Sequence, residues 1–497
     1  MYVLNFAQLN KILGGIKMIK RKAGILMPIF SLPGEHGIGD FGKCCWDMID
    51  LSKKAGFSIW QILPLNPVGY GNSPYAPYSS FAGDEIYINL DGLFAEGLIQ
   101  KKAAPFALER IDYQKVRAYK QPYFDEAFKT FKEKHLLKDE YQTFINMAFW
   151  LDDYVRYIVL KKKNKLKAWQ DWSCTSLSYD DEEAICYEKF IQFIFFRQWE
   201  QVRHYANKKG LEIVGDLPMY VGLDSADVYG YKKAFMIDEK GKPSWVAGCP
   251  PDCFTEDGQL WGNPLYNWKY LKEHAYDFWV NRLKWNMRLF DIVRLDHFRA
   301  FDTYWAIPYG DTNARRGHWE LGPAYDLFDV IFEKLPNLNL IAEDLGDLRK
   351  EVLELRDHYH LLGMRVAQHA LGETEEKVNF VLPENIVVYP GTHDNLTVEQ
   401  WIKECDKKEL KRIKTIFKKL KLNGELMSQQ LIDYCYQSPC RIAIISMPDL
   451  LALGQEARLN APGVCGSPNW EWKLQDFESY KNKVEENYQQ LRKYKRI

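Results

Sequence analysis

Eight short apolar segments recur along this chain, each running out into polar or turn residues. They are Ala23–Pro28 (AGILMP), Ser58–Pro64 (SIWQILP), Glu212–Pro218 (EIVGDLP), Asp291–His297 (DIVRLDH), Leu340–Gly346 (LIAEDLG), Met364–His369 (MRVAQH), Ile386–Asn395 (IVVYPGTHDN) and Ile442–Asp449 (IAIISMPD). Near-continuous apolar runs of this length suit strands covered on both faces. Helical periods fall between several of them, as at Phe41–Ala55 and Leu348–His358. Eight strand–helix units predict an α/β chain folded as a (β/α)8 TIM barrel. A doubly wound open sheet is the alternative.

A barrel of this kind takes about 250 residues, and the chain has 497. The surplus has a definite place. Residues 65–211, between the second and third segments, read as a mainly helical insertion, notably over Tyr141–Lys163 and Glu182–Lys209. Residues 219–290 are rich in Gly, Pro, Trp and Tyr and read as an irregular insertion. Both follow a strand, so both belong on the C-terminal face of the barrel, where active sites form. After the eighth segment the tail is helical by period over Leu474–Arg492 and too short for a C-terminal β domain of about 100 residues. Residues 21–497 therefore read as one catalytic barrel with insertions, and residues 1–20 as an N-terminal extension without an assigned role.

The net charge is −1, from 66 Lys plus Arg and 67 Asp plus Glu. That balance argues against a nucleic-acid partner, which usually needs a basic surface. The basic stretch Lys407–Lys421 reads as the wet face of an amphipathic helix. No run approaches the roughly 20 apolar residues of a membrane span, and Met1–Lys20 lacks the apolar core of a secretory signal. Ten scattered Cys read as reduced thiols of a cytoplasmic protein. Cys249 and Cys253 lie close together, but no second pair completes a zinc site. Neither a metal nor an organic cofactor is implied.

The acids at the strand ends carry the chemistry. The third segment ends near Asp216, the fourth in Arg294, Asp296 and His297, the fifth in Glu343 and Asp344, and the seventh in His393 and Asp394. In a barrel these positions converge on one mouth. A lone acid after a strand is ordinarily a helix cap or a surface group, and Asp344 reads that way. Recurrence at four strand ends points elsewhere, because clustered like charges oppose folding. Two carboxylates flanking a scissile bond are the equipment of a retaining glycosidase. Arg294 precedes Asp296 by two residues, so on a strand both point the same way. Its guanidinium is expected to depress the Asp296 pKa and keep that nucleophile ionised. Glu343 follows an apolar run and is expected to hold a proton as general acid/base. Asp394, beside His393, suits stabilisation of an oxocarbenium-like charge.

Longer stretches carry a resemblance. RKAGILMPIFSLPGEHGIGDFG from Arg21, WQILPLNPVGYGNSPYAPYSSFAG from Trp60, GCPPDCFTEDGQLWGNPLYNW from Gly248, FDIVRLDHFRAF from Phe290, YPGTHDN from Tyr389, EARLNAPG from Glu456 and NWEWKL from Asn469 follow one family's order from about Arg21 to Leu474. In these the chain resembles the 4-alpha-glucanotransferases, also called amylomaltases or disproportionating enzymes. The resemblance implies retaining double displacement on α-1,4-glucans, with a glucan or glucose as acceptor. It implies Asp296 as nucleophile, Glu343 as acid/base and Asp394 as transition-state stabiliser. Tyr75, Asp216, Arg294, His297 and His393 become sugar-subsite groups. Asp252, Gln259, Trp261 and Asn263, on a loop over the cleft, become glucan contacts, with Asn460 beside them. Trp261 and Tyr75 would exclude water and cover sugar faces. Asp84-Glu85 departs from the Asn-Pro expected after SSFAG. Two rivals share the same carboxylates: an α-amylase-like hydrolase and a non-catalytic glucan-binding protein.

Overall fold

The computed structural model describes residues 21–251, 256–372 and 382–497. The expected extension, residues 1–20, lies outside the described residues, as do Asp252 and Cys253. Among the described residues the strands in chain order are β1 (Lys22–Leu26), β2 (Ile59–Gln61), β3 (Glu212–Leu217), β4 (Trp245–Cys249), β5 (Gln259–Pro264), β6 (Ile292–Leu295), β7 (Thr303–Pro308), β8 (His318–Leu321), β9 (Leu340–Ala342), β10 (Gly363–Val366), β11 (Ile386–Tyr389) and β12 (Ile442–Ser446).

Each apolar segment holds one strand of a single sheet, ordered β10-β11-β12-β1-β2-β3-β6-β9 and parallel throughout. The two ends of this order meet. Ile341 bridges Leu362, and the Ala342 amide donates to the Leu362 carbonyl at 2.7 Å. The sheet is thus a nearly closed (β/α)8 barrel rather than an open doubly wound sheet. Asp344 helps to close it. It is buried, pairs with Arg356, and accepts the Met364 amide at 2.6 Å. It lies in the loop after β9, as a loop or capping residue would, but it is buried and does not cap the helix Lys350–His358, whose cap is Arg349. The strands are buried on both faces, as their composition requires; Ile25, Leu26, Ala443, Ile444 and Ile445 are wholly enclosed. Gly215 in β3 answers a close approach, since a Cβ there would lie 2.1 Å from the Phe290 ring.

The segment after β2 is helical, as its periodicity predicts. The Tyr141–Lys163 pattern splits at Ala148–Trp150 into helices Lys138–Met147 and Leu151–Lys163. The helix Glu182–Lys208 carries the aromatic stripe Phe190, Phe193, Phe195 and Phe196 into the core. Two of its glutamines act as substitute strand partners. Gln192 bonds both the amide and the carbonyl of Gly83 at 2.8 and 2.9 Å, and Gln198 does the same for Asn89 at 2.7 and 3.1 Å. These bonds satisfy backbone groups that no strand reaches, and they pin the loop from Tyr75 to Asn89 over the barrel. Asp84 and Glu85, the departure noted in the sequence, both pair with Arg117 of the helix Tyr113–Lys134, and Asp84 also accepts the Val68 amide at 3.0 Å.

The second insertion holds more order than its composition suggests. Strands β4 and β5 join β7 and β8 in an antiparallel sheet ordered β5-β4-β7-β8. The last two strands lie beyond β6, so segments on either side of a barrel strand build this sheet together. At the far end, the helix Glu478–Lys493 starts later than the predicted Leu474. The buried Arg496 then donates to the carbonyls of Lys22, Cys435, Tyr436, Ser438 and Cys440, fastening the end of the chain beneath the barrel.

Candidate active site

Strand register assembles the site. Asp216 of β3 lies opposite Arg294 of β6, as direct neighbours in adjacent parallel strands. Their side chains therefore share one face, and Arg294 Nη1 contacts both Asp216 oxygens at 2.7 Å. The same guanidinium reaches Asp296 Oδ1 at 3.3 Å and Glu343 Oε2 at 3.1 Å. One buried cation thus holds three carboxylates from three strand ends. Asp216 and Arg294 are sealed from solvent, while the side chains of Asp296, Glu343 and Asp394 remain 26%, 18% and 39% exposed. The sealed pair is a support, and the open acids face the cleft.

The expected electrostatics of Asp296 needs correction. Its carboxyl is pushed well above the usual range, first by burial and then by the neighbouring Glu343, against the opposing pull of Arg294. The reason is one of allegiance: register commits Arg294 to Asp216, and it meets Asp296 only at the edge of its reach. Glu343 Oε2 also accepts the His297 amide at 2.5 Å, a bond made possible by the left-handed backbone of His297 (φ 47°, ψ 51°). Burial depresses the His297 ring to about 4, so its imidazole is neutral at physiological pH.

Across the mouth, the Tyr75 hydroxyl lies 2.7 Å from Asp216 Oδ2 and 2.8 Å from His393 Nε2. Its single proton goes to the carboxylate, because two facing acceptors without a proton would repel. His393 therefore donates from Nε2, which also lies 3.3 Å from Asp394 Oδ2. Its Nδ1 is buried and has no hydrogen-bond partner among the described residues. Asp394 receives a second bond from Asn460 Nδ2 at 2.7 Å. Tyr75 stacks on His393 with centroids 5.4 Å apart and planes within 8°.

Strand β5 brings the remaining candidates. Trp261 meets His297 edge to face at 4.9 Å and donates from Nε1 to Gln259 at 3.1 Å. Asn263 spends one donor on the Val221 carbonyl at 2.9 Å, tying this loop to the exit of β3. Sequence reading passed over Trp470, a buried ring 5.9 Å from Tyr75 and 6.1 Å from His393. It also passed over Arg282, a buried cation that holds the carbonyls of Pro218 and Met219 just past Asp216, at 2.7 and 3.3 Å. Trp470 stands in the NWEWKL stretch, so a motif signal existed; Arg282 lies in an ordinary helical pattern and had none. Among the described residues no group of three or more His, Cys, Asp or Glu is placed to hold a metal ion. No helix of the described residues is long and apolar enough to cross a membrane.

Comparison with known proteins bears on this geometry. The family described as 4-alpha-glucanotransferase, glycoside hydrolase family 77, matches residues 27–479. The 4-alpha-glucanotransferase of Aquifex aeolicus is 39% identical over 480 residues, covering 94% of this chain and 97% of its own. That of Clostridium butyricum is 39% identical over 471 residues, covering 90% and 96%. Among solved structures, an amylomaltase from Streptococcus agalactiae in complex with acarbose superposes with a TM-score of 0.89 at 31% identity, covering 94% of this chain and 98% of that one.

Proposed function

This chain belongs to the 4-alpha-glucanotransferase family, and from that premise we propose that Asp296, Glu343 and Asp394 perform its reaction. The protein is an enzyme of the glycoside hydrolase type that acts as a transferase on α-1,4-glucans. Asp296 attacks C1 of the donor sugar while Glu343 gives its proton to the departing 4-oxygen. The products are a shortened glucan and a glycosyl ester on Asp296. An acceptor glucan or glucose then enters. Glu343 takes the proton of its 4-hydroxyl, that oxygen attacks C1, and the Asp296 carboxylate leaves. Two inversions retain the α configuration.

The observation that carries this reading is the guanidinium of Arg294 reaching Asp216, Asp296 and Glu343 at once. It holds the two reacting carboxyls in a fixed relation and limits the cost of gathering them. The pair needs one proton, on Glu343 when a glycosidic oxygen lies against it, with Asp296 ionised to attack. Asp394, held by His393 and Asn460, faces the positive charge that develops on the sugar. Tyr75, His297, Gln259, Trp261 and Asn263 line or support the sugar subsites, and Asp252 joins them on the sequence motif alone. Trp261 against His297 shields the ester from water, which favours a sugar acceptor. Neither cofactor nor nucleic acid enters this scheme. A cytoplasmic location stays part of the reading, on the scattered thiols alone.

Incubation with maltotriose tests it. Glucose and longer maltooligosaccharides should both form while total reducing ends stay constant. Rising reducing ends without longer products would overturn the transferase step in favour of a hydrolase. Unimpaired turnover by Asp296→Asn would overturn the choice of nucleophile.

A further inference from the structure

Trp319 is a large aromatic side chain that the site described above does not use. It lies on β8, an edge of the antiparallel sheet, opposite Trp305 of β7. Trp305 is fixed by a bond from Nε1 to the Ala314 carbonyl at 3.0 Å, and its ring meets Trp319 edge on at 5.1 Å. The guanidinium of Arg299 lies 3.9 Å from the Trp319 centroid. Arg299 belongs to the short turn Phe298–Phe301, which begins immediately after His297.

The placement is symmetrical. One edge strand, β5, sets Trp261 against His297; the other, β8, sets Trp319 against Arg299, two residues further on. Both edges of one sheet thus put a tryptophan on the turn that follows Asp296. Trp319 keeps 40% of its surface exposed. The cation over the ring and the steeply inclined Trp305 restrain the plane of the indole, and its exposed surface is open to a ligand. Leu321, two residues along the same face of β8, is 73% exposed, and Tyr325 beyond it is 41% exposed.

An immobilised, half-exposed aromatic plane suits the apolar C–H face of a pyranose, whose hydroxyls stay at its rim in water. Continuity with the catalytic turn selects the occupant: the same neutral α-glucan that fills the cleft. We propose that Trp319, backed by Arg299, is an outlying glucan platform that binds a glucosyl unit remote from the bond cleaved and so sets a preference for long chains over short ones. The proposal rests on the glucanotransferase reading above.

The test compares kcat/KM on maltotriose and on long linear amylose for wild type, Trp319→Ala and Trp319→Phe. For Trp319→Ala the amylose-to-maltotriose ratio of kcat/KM should fall about tenfold, through KM, as expected for one lost aromatic contact. Trp319→Phe should restore most of it. In an inactive Asp296→Asn background, calorimetry should show the same loss of affinity for a long maltooligosaccharide. Equal losses on both substrates would mean a scaffold role and overturn the proposal, as would no loss on either. An effect of Trp319→Ala confined to sedimentation would mark a contact between copies of the chain and would also overturn it. A wild-type protein that fails to redistribute maltotriose would instead refute the underlying reading.

Discussion

Arg294 is the residue on which the site turns, and Arg294→Lys measures what its shape contributes. The substitution keeps the charge but replaces a planar fork by one compact ammonium. Register places Asp216 directly opposite, so the lysine should keep that partner. The contact to Glu343 at 3.1 Å comes from the second nitrogen, Nη2, and should be lost, whereas the contact to Asp296 at 3.3 Å shares Nη1 with Asp216. A hydrogen bond to a charged group contributes about 1.5–3 kcal/mol. Glu343 retains some solvent, so the low end applies, and the lost bond comes to about 1.5 kcal/mol, or roughly tenfold in kcat/KM. A second effect follows. Arg294 pulls the Asp296 carboxyl down against burial; a compact ammonium held against Asp216 weakens that pull, and the acid limb of the pH profile should move to higher pH. The assay is glucose release from maltotriose across about pH 5 to 9, with circular dichroism to establish folding. A folded variant with kcat/KM within about threefold of wild type and an unmoved acid limb would refute the assigned role of this guanidinium.

Four other outcomes are expected. Asp296 has a raised folded-state pKa, so its charge costs stability as pH climbs past about 4; Asp296→Asn should exceed wild type in stability by about 1–3 kcal/mol near neutrality in denaturant titrations, and the gap should close toward acid pH. His297 sits at about 4, below the unfolded value, so its contribution to stability is full above about pH 6.5 and lost as pH falls toward 4; a proton NMR titration should find that midpoint, and a value above about 6 would contradict it. Trp261→Ala opens the face of His297 to water, and the ratio of hydrolysis to transfer should rise about three- to tenfold, read as reducing ends against redistributed chains. Asp344→Ala leaves the Met364 amide unpaired and removes one carboxylate from Arg356, which keeps Asp357, and from Arg365 at the closing edge of the barrel, and chemical denaturation should find a loss of about 2–3 kcal/mol.

The barrel was legible because its signal is local. A strand covered on both faces must be apolar along its whole length, so each of the eight runs announced itself without reference to the others. Asp216, Asp296, Glu343 and Asp394 were legible for the same reason: each lies at or shortly beyond the end of such a run, and the barrel rule says where the ends of its strands go. The sheet of β4, β5, β7 and β8 was not legible. Its halves, residues 245–264 and 303–321, are separated by two α-helices, a barrel strand and a short turn, and pairing across that gap leaves no periodic trace in either half. Trp319 went unnoticed with it, since an exposed edge strand has no apolar alternation to reveal it.

Residue types and their order along the chain thus determined the architecture, the family and the set of acids at the mouth, because burial and backbone hydrogen bonding act over a few residues at a time. What those acids do to one another was decided only by folding. Sequence proximity suggested that Arg294 serves Asp296. The register of β3 against β6 sets Asp216 opposite it instead, and the balance at Asp296 tips from depressed to raised. Coulomb energies and desolvation depend on distances across strands and on the water left between them, and neither quantity exists until the barrel closes.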